Sequence, residues 1–417
     1  FSDSELRGKL LQILIFATLL VTMITSFSEA LGLFGDVLVF STYSLLLFYY
    51  MVRYGRIQLP VLPFMLIFMI YILFIIGFLR YLTGSLSFPV SSLGIISTST
   101  TLFQLAEISG YILSSFVLIF IVPHFLNRVN FFKFLSIFSS FCVIVGLPAY
   151  FIGDYSISFI YIKTYTTLEP FRQLGIDIPA LSSVWNDANA MSKITITGIL
   201  GSHYCYLKYK YSVYQKLLML NILGLFLANS KMAIISVIIA YSVYFIHKST
   251  NNSKTRIYLI VSSILGSITF IIIVFTNVMD PLVGAVGFQD RVELWRASIS
   301  TFLQYPLFGT GVYKTGTIIS DHTGVGSAAP QNSYLRILVS TGIFGGLSYI
   351  YLTSSAVFKY LSDISSNSDM LVLTLFVSFI LLQFTDTADI FGMNKNSAIL
   401  GLTLGYILKD IYFCEYD

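Results

Sequence analysis

Residues 61–79 read VLPFMLIFMIYILFIIGFL, a stretch without a single charged side chain. An apolar run of about 20 residues matches the length of a helix that crosses the hydrocarbon core of a bilayer. The whole chain has the same character, because 56% of its 417 residues are hydrophobic and only 11% are charged. Soluble domains carry about 25% charged residues. The composition therefore excludes a soluble globular protein and predicts an integral membrane protein.

The apolar residues occur in long blocks rather than in the alternating ten-residue stretches of a membrane β-barrel. Only helices of this length satisfy their own backbone groups inside lipid. We therefore predict an all-α, polytopic fold with a single transmembrane domain, 1–417, of about twelve helices. The predicted spans lie near residues 9–26, 34–51, 61–79, 105–123, 132–152, 187–206, 217–229, 232–247, 257–277, 334–358, 370–385 and 395–411.

The distribution of Lys and Arg sets the predicted orientation, because these residues gather on the cytoplasmic side of membrane proteins. With both termini in the cytoplasm, basic residues occupy every predicted inner loop and both tails. Two external segments are then longer than connections usually are, a smaller one at 153–186 and a larger one at 278–333 between spans 9 and 10. The stretch 86–104 is either a loop or a re-entrant segment.

Basic residues on the predicted outer side run against this bias and need their own explanation. For Arg80, Lys163, Lys314 and Lys395 we favour snorkelling to lipid headgroups. For Arg172, Lys231, Arg291 and Arg336 we favour a function. Lys231 begins the eighth predicted span, where the backbone N–H groups and the helix dipole favour an anion such as phosphate. Snorkelling is the alternative for Lys231 as well.

The larger external segment contains a predicted short helix, Asp290-Arg291-Val292-Glu293-Leu294-Trp295-Arg296. Residues three or four apart share a helix face, so Arg291 lies beside Trp295, and Glu293 can pair with Arg296. Arg296 thus has a structural partner, whereas Arg291 has only Asp290 beside it in sequence. Arg291 is the strongest single candidate for a functional cation.

Three ordered motifs follow one another over about 55 residues. They are Arg291-x3-Trp295, then Pro306-Leu307-Phe308-Gly309-x-Gly311, then Asn332-Ser333-Tyr334-Leu335 with Gly342-Ile343-x-Gly345. This order and spacing resemble the O-antigen polymerase and O-antigen ligase superfamily, which includes the Wzy-type polymerases. Ser230-Lys231-Met232-Ala233 and Asn186-x-x-Asn189-Ala190 resemble two helix starts of that superfamily. The rest of the chain resembles it only in topology.

The resemblance implies a GT-C-like membrane glycosyltransferase that polymerises oligosaccharide repeat units carried on polyprenyl diphosphate. It implies a bacterial inner membrane protein with a periplasmic active site, membrane lipids as surroundings, and a chain-length regulator protein as a further partner. No cofactor, metal or nucleic acid is expected. The candidate catalytic residues are Arg291 and His322, and the candidate substrate-binding residues are Lys231, Arg172, Arg296, Asn332, Tyr334, Arg336 and Asn189.

One departure from the superfamily bears on the mechanism. Many members carry a histidine directly before the motif asparagine, and this chain has Gln331, which cannot accept a proton at neutral pH. The nearest histidine on the same segment is His322, and Asp187, Asp290 and Glu293 are further candidates for the proton acceptor. The missing histidine favours a polymerase over a ligase.

Two alternatives are left open by the sequence. A flippase for lipid-linked oligosaccharides would also have about twelve spans, although the chain lacks the repeated halves that are typical of transporters. Asp386 and Asp389 are spaced like a metal-binding pair, but we favour helix-end solvation or ion pairing. Cys142, Cys205 and Cys414 show no paired spacing and predict neither a disulfide framework nor a metal site.

Overall fold

A computed structural model describes residues 3–24, 32–55, 57–83, 98–157, 160–166, 179–185, 187–250, 258, 266, 289–323, 329–364 and 366–413. The first helices are α1 (Asp3–Ile24), α2 (Gly32–Tyr54), α3 (Val61–Leu82), α4 (Thr98–Phe116), α5 (Val122–Phe125) and α6 (Arg128–Ile152). A π-helical turn, Val117–Ile121, joins α4 to α5. The later helices are α7 (Ala188–Tyr209), α8 (Ser212–Ala228), α9 (Lys231–Ser249), α10 (Gln289–Gln304), α11 (Val312–Thr323), α12 (Ser333–Asp363), α13 (Asn367–Leu382) and α14 (Lys395–Phe413).

Each predicted span except that near 257–277 overlaps a described helix, and the structure is mostly helical, as expected for a polytopic all-α protein. The span near 257–277 lies outside the described residues apart from 258 and 266. Within the described residues, six helical stretches are long and apolar enough to cross a membrane. They are Phe34–Tyr54, Val61–Leu82, Gln104–Phe125, Arg128–Ile152, Lys231–Ser249 and Ser333–Asp363. The total of twelve spans stays a prediction.

Helix α7 is not among those six, and its position in the fold explains why. It packs against α6, α8, α9 and α13, and its side chains are buried along most of its length. Its buried residues include Lys193, Thr195, Thr197 and Ser202. A helix surrounded by other helices does not face lipid, so it tolerates polar residues that a lipid-facing helix does not.

A small antiparallel sheet was not predicted from the sequence. Its strands are β1 (Tyr155–Ile157), β2 (Ile160–Thr166) and β3 (Pro179–Ser183), paired in the order β1-β2-β3. The hydroxyl of Tyr155 donates to the carbonyl of Val145, and the hydroxyl of Ser183 donates to the carbonyl of Cys142 at 2.7 Å. Both bonds tie the sheet to α6, so the described part of external segment 153–186 lies on the end of α6.

The larger external segment is also more ordered than the sequence indicated. The predicted short helix around Arg291 is part of the 16-residue α10, and the polar run that ends near His322 forms α11. The intervening turn carries Pro306-Leu307-Phe308-Gly309-x-Gly311 and packs against a break in α12. That break is at Gly342, which has φ 69° and ψ −167° inside an otherwise helical stretch.

Backbone hydrogen bonds join the turn to this break. Thr310 N donates to Val339 O at 2.8 Å, Gly311 N donates to Ser340 O at 2.9 Å, and Ile343 N donates to Pro306 O at 2.8 Å. The turn therefore takes up carbonyl groups that the interrupted helix leaves without helical partners. Arg80, which we expected to snorkel, donates from Nη1 to the carbonyl of Gly309 at 2.9 Å and so also supports the turn.

The opposite end of the helix bundle is joined by a charged cluster. Arg128 at the start of α6 contacts Asp369 at the start of α13 and Asp410 near the end of α14, both at 2.6 Å. Tyr360 of α12 donates its hydroxyl to Asp410 at 2.9 Å. Four helices thus meet through side chains at this end.

Candidate functional site

The chain between α13 and α14 forms the centre of the candidate site, and residues 383–391 are called the 383–391 segment below. It lies against the start of α12, where the Asn-Ser-Tyr-Leu motif begins. Ser333 N donates to Gln383 O at 2.9 Å, and the Ser333 hydroxyl donates to Asp386 O at 3.1 Å and accepts from Ala388 N at 2.7 Å. Asn332 Nδ2 donates to Phe384 O at 2.9 Å. The motif therefore holds the 383–391 segment in place.

Cationic side chains from three helices converge on this segment. Arg291 of α10 donates from Nη1 to the carbonyl of Thr385 at 2.6 Å. Lys193 of α7 forms an ion pair with the next residue, Asp386, at 2.6 Å. Because Thr385 and Asp386 are adjacent, Arg291 and Lys193 approach the same short stretch of chain.

Arg336 of α12 binds the other carboxylate of the segment in a bidentate ion pair. Its Nε and Nη2 donate to the two oxygens of Asp389 at 2.8 and 2.6 Å, and Nη2 also donates to Phe391 O at 2.9 Å. The Arg336 guanidinium lies 5.9 Å from the ring centroid of Tyr111, and the Tyr111 hydroxyl donates to Glu107 at 2.5 Å. Asp389 is buried, so this pair fixes the segment against α12 and α4.

Lys395 at the start of α14 adds a fourth cation. Its side chain is 6% exposed, and its ammonium lies 4.7 Å from the ring centroid of Trp185. Asp187 lies close enough for its charge to act on Lys395. The cations Arg291, Lys193, Arg336 and Lys395 thus gather around the carboxylates Asp386, Asp389 and Asp187.

Asn189 and Lys231 lie where α7 and α9 begin. Asp187 caps α7 by accepting from Asn189 N at 3.0 Å. Ser230, directly before α9, donates its hydroxyl to Asn189 Oδ1 at 2.8 Å. Lys231 is the exposed first residue of α9. The two helix starts that the sequence analysis singled out are therefore in contact with each other.

Two of the predicted substrate-binding residues make contacts that stabilise the fold, and a third is exposed. Asn332 caps α12 by accepting from Leu335 N at 3.0 Å, and Tyr334 packs against Tyr349 and Phe384 with ring centroids 5.7 and 4.7 Å apart. Arg296 lies exposed on α10. These positions leave the substrate-binding roles of Asn332, Tyr334 and Arg296 as predictions.

Two predicted site residues cannot be placed. Arg172 lies outside the described residues, and His322 belongs to α11 but its side chain is not among those described. Gln331, which takes the position of the superfamily's histidine, is exposed and has φ 47°. It lies directly before Asn332, the cap of α12.

Sequence reasoning placed Lys193 among the basic residues of the outer side without assigning it a role, and it interpreted Lys395 as snorkelling, whereas both are buried in this cluster. The available signal was a lysine within each of two otherwise uncharged helix starts, since an ionisable residue inside a membrane span indicates a functional site with a partner. Asp386 and Asp389, considered as a metal pair or as ion-paired residues, are both ion-paired. Within the described residues, no group of three or more His, Cys, Asp or Glu side chains is arranged to hold a metal ion.

Comparison with known proteins supports the resemblance over part of the chain. Residues 217–350, about a third of the sequence, match the family model Wzy_C, described as O-antigen ligase. The match includes Lys231, Arg291, Asn332 and Arg336, and it supports the superfamily of O-antigen ligases and polymerases, which are membrane glycosyltransferase-like enzymes. A search of curated proteins found no match.

Proposed function

We propose that this protein is a membrane glycosyltransferase that polymerises polyprenyl-diphosphate-linked repeat units into a surface polysaccharide, with polyprenyl diphosphate as the leaving group. The observation that carries this proposal is the meeting of Arg291 and Lys193 at Thr385 and Asp386. A diphosphate needs such a concentration of positive charge, and part of this cluster lies in the region that matches the family model.

The reaction consists of attack by an acceptor hydroxyl on the anomeric carbon of the donor glycan. The bond from that carbon to the phosphate oxygen breaks, and its electron pair leaves with the diphosphate. Negative charge therefore grows on the phosphate oxygens in the transition state. Arg291 stabilises this charge through paired N–H donors, Lys193 holds Asp386 beside it, and Lys231 adds positive potential at the start of α9.

The proton of the acceptor hydroxyl passes to a titratable group or to the departing diphosphate. Asp187, Asp290, Glu293 and His322 are the candidate acceptors on this side of the chain. Asp187 lies beside the cluster, where it caps α7 next to Asn189, and Asp290 and Glu293 lie on α10 with Arg291. Gln331 cannot take this role because an amide does not accept a proton at neutral pH.

Ligation of a finished glycan to a different lipid acceptor is the second candidate function. The observation in its favour is the description of the matching family model, O-antigen ligase. Both reactions use the same donor and the same leaving group, so the cationic cluster serves either one. The replacement of the histidine by Gln331 makes us favour polymerisation.

A gene deletion followed by electrophoresis of the surface glycolipids separates these functions. Loss of a polymerase leaves glycolipid that bears a single repeat unit. Loss of a ligase or of a flippase leaves none. A ladder of normal length in the deletion strain would refute all three. Purified protein given lipid-linked repeat units alone should then yield polymer, whereas a ligase would require its separate lipid acceptor.

A further inference from the structure

The end of α7, the turn after it and the start of α8 carry an unusual concentration of lysine and tyrosine. The sequence of this stretch is Tyr206-Leu207-Lys208-Tyr209-Lys210-Tyr211-Ser212-Val213-Tyr214-Gln215-Lys216. It lies at the end of the bundle that the charge distribution assigns to the cytoplasm, away from the cluster around the 383–391 segment. It plays no part in the function proposed above.

The tyrosine rings form an ordered stack on this turn. Tyr209 lies parallel to Tyr211 and to Tyr214, with centroid distances of 5.8 and 5.9 Å and interplanar angles of 13° and 20°. Lys210 has a left-handed backbone, φ 60°, which ends α7 and directs its ammonium over the Tyr206 ring at 5.5 Å. Tyr211 is 63% exposed, so the stack presents a ring face outward.

Lysines from two further helices lie near the last turns of α7. The charges of Lys210 and of Lys248, near the end of α9, both act on His203, and the charge of Lys133 on α6 acts on Cys205. All of these lysines, together with Lys208 and Lys216, are exposed. We define the lysine–tyrosine surface as the set Lys133, Lys208, Tyr209, Lys210, Tyr211, Lys216 and Lys248.

Negative charge is missing from this part of the chain. Residues 188–279 contain no Asp or Glu. Within the described residues, none of the five lysines of the surface has a carboxylate at ion-pair distance. The charged cluster of Arg128 with Asp369 and Asp410 holds two carboxylates against one guanidinium, and neither carboxylate pairs with a lysine of the surface. Among the described residues, the lysine charge of the surface is therefore not offset by an ion pair.

We infer that the lysine–tyrosine surface binds the phosphate groups of anionic phospholipid headgroups in the leaflet that it faces. Tyrosine rings prefer the headgroup level of a bilayer, where an apolar ring edge and a polar hydroxyl are both accommodated. Lysines at that level gain attraction from anionic lipids, and the gain adds up over a cluster. A position at the ends of two predicted spans and a shared positive charge favour a lipid headgroup over a soluble acidic protein.

The test uses the full chain, purified and incorporated into nanodiscs of phosphatidylcholine alone or mixed with phosphatidylglycerol. Native mass spectrometry of the released protein counts the phosphatidylglycerol molecules that remain bound, and headgroup-labelled phosphatidylglycerol reports the affinity. The variant is the triple change Lys208→Gln, Lys210→Gln and Lys216→Gln. Each lost charge should weaken headgroup binding on the order of fivefold, so the triple variant should lose roughly a hundredfold.

Two further variants separate charge from position. The triple change to Arg keeps the charge and should retain phosphatidylglycerol like the wild type. Lys359→Gln removes a lysine that also contacts a tyrosine, Tyr412, but lies one helical turn from Asp363, and it should change retention by less than twofold. Equal loss in Lys359→Gln and the triple Gln variant would refute a specific surface.

Two outcomes would overturn the inference. Wild-type retention of phosphatidylglycerol by the triple Gln variant would show that the lysines do not bind the headgroup. Displacement of the labelled lipid by millimolar inorganic phosphate would indicate a site for soluble phosphates instead of a membrane lipid. Retention that falls with rising salt, is insensitive to inorganic phosphate and requires the lysines would support the lipid surface.

Discussion

Arg291 and Lys193 act on adjacent residues in different ways. Lys193 is buried and already paired with the Asp386 carboxylate, so its charge is largely compensated. Arg291 is half-buried and donates from Nη1 to the backbone carbonyl of Thr385. A guanidinium keeps further N–H donors for a phosphate after making one such bond. At the residue scale, Arg291 is therefore the better candidate for contact with the leaving group.

We expect Arg291→Ala and Arg291→Lys to reduce polymer formation about 100-fold to 1,000-fold, the usual effect of removing one donor to a developing charge. Lysine should not rescue, because its point charge does not reproduce paired donors. The assay is polymer formation from purified lipid-linked repeat units. The matched control is Gln304→Ala, an exposed position at the end of the same helix, which should keep normal activity.

An Arg291→Lys variant that polymerises at the wild-type rate would refute the bidentate role. Thermal unfolding must be recorded in parallel, since Arg291 also anchors the 383–391 segment through Thr385. The loss of one bond of this kind to a charged donor costs about 1.5–3 kcal/mol. A decrease in activity far beyond that expected from the unfolded fraction is what the proposal requires.

For Lys231, in contrast to Arg291, we expect a conservative substitution to keep activity. It is the exposed first residue of α9, where a cation and a helix N-terminus together attract an anion. Lys231→Arg should therefore keep most activity, and Lys231→Ala should lose most of it. The length distribution of the polymer measures both. Normal polymer from the alanine variant would reduce Lys231 to a residue that only contacts lipid headgroups.

At the scale of elements, the motif Pro306-Leu307-Phe308-Gly309-x-Gly311 explains why position 342, far along the chain, is a glycine. A methyl group on Gly342 would lie 2.2 Å from the carbonyl oxygen of Leu307, and the φ of 69° disfavours any side chain there. The turn and the break in α12 thus require each other. Through this break, the first part of α12 carries Asn332 and Arg336 to the 383–391 segment.

Gly342→Ala should therefore destabilise the protein by about 2–5 kcal/mol, from the strained backbone together with the overlap. Gly55→Ala is the matched control, because Gly55 has a similar φ of 65° and an added methyl there meets no atom within 4 Å. It should cost only about 1–2 kcal/mol. Thermal unfolding in detergent measures both. Equal effects would show that the contact with Leu307 does not matter.

The elements also show how far the sequence alone reaches. The long uncharged runs predicted helices α2, α3 and α6 because lipid-facing helices must be apolar on their outer surfaces. The sheet was missed although Ile160-Tyr161-Ile162-Lys163-Thr164 is rich in β-branched and aromatic residues, which favour strands. Short strands between long helices give a weak signal when the search is for spans.

The site was predicted less completely than the fold, for a physical reason. Arg291 lies in a motif that the sequence displays, and Arg336 directly follows another. Lys193 is instead buried on an interior helix, and its partner Asp386 lies far along the chain. Pairing over such a separation is a property of tertiary structure, and no local pattern encodes it. The sequence shows that Gln331 stands in place of the superfamily's histidine, but it does not show which group accepts the proton instead.

At the scale of the whole molecule, the Arg128 cluster joins α6, α12, α13 and α14 at the end opposite the candidate site. Arg128→Ala leaves Asp369 and Asp410 without their cation. Since these side chains are about one-fifth to one-third exposed, we expect a cost of about 1–3 kcal/mol, less than for a fully buried pair. The melting temperature should fall, and activity per folded molecule should stay normal.

The double variant Arg128→Ala with Asp410→Asn provides the control for that cluster. It removes one of the unpaired charges together with the arginine, so it should be more stable than Arg128→Ala alone. If the double variant is less stable than the single one, the carboxylate of Asp410 stabilises the protein through Tyr360 rather than through Arg128.

The orientation of the whole molecule depends on whether α7 crosses the membrane. The sequence predicts it as the span near 187–206, but it is not among the six helices that are apolar enough to cross by composition. It runs among α6, α8, α9 and α13 with most of its side chains buried. If it crosses, Lys163 on β2 and Lys208 near the end of α7 face opposite sides. The distribution of basic residues predicts that Lys208 faces the cytoplasm, with the candidate site on the other side.

Cysteine labelling tests this crossing, because Cys142 and Cys205 are buried and should react slowly. Cys414 is first replaced by Ser, and Lys163→Cys or Lys208→Cys is then introduced. In intact spheroplasts a membrane-impermeant maleimide should label position 163 strongly and position 208 only after permeabilisation. Labelling of both positions in intact spheroplasts would mean that α7 does not cross. It would also place the lysine–tyrosine surface and the cationic cluster on the same side, contrary to the predicted topology.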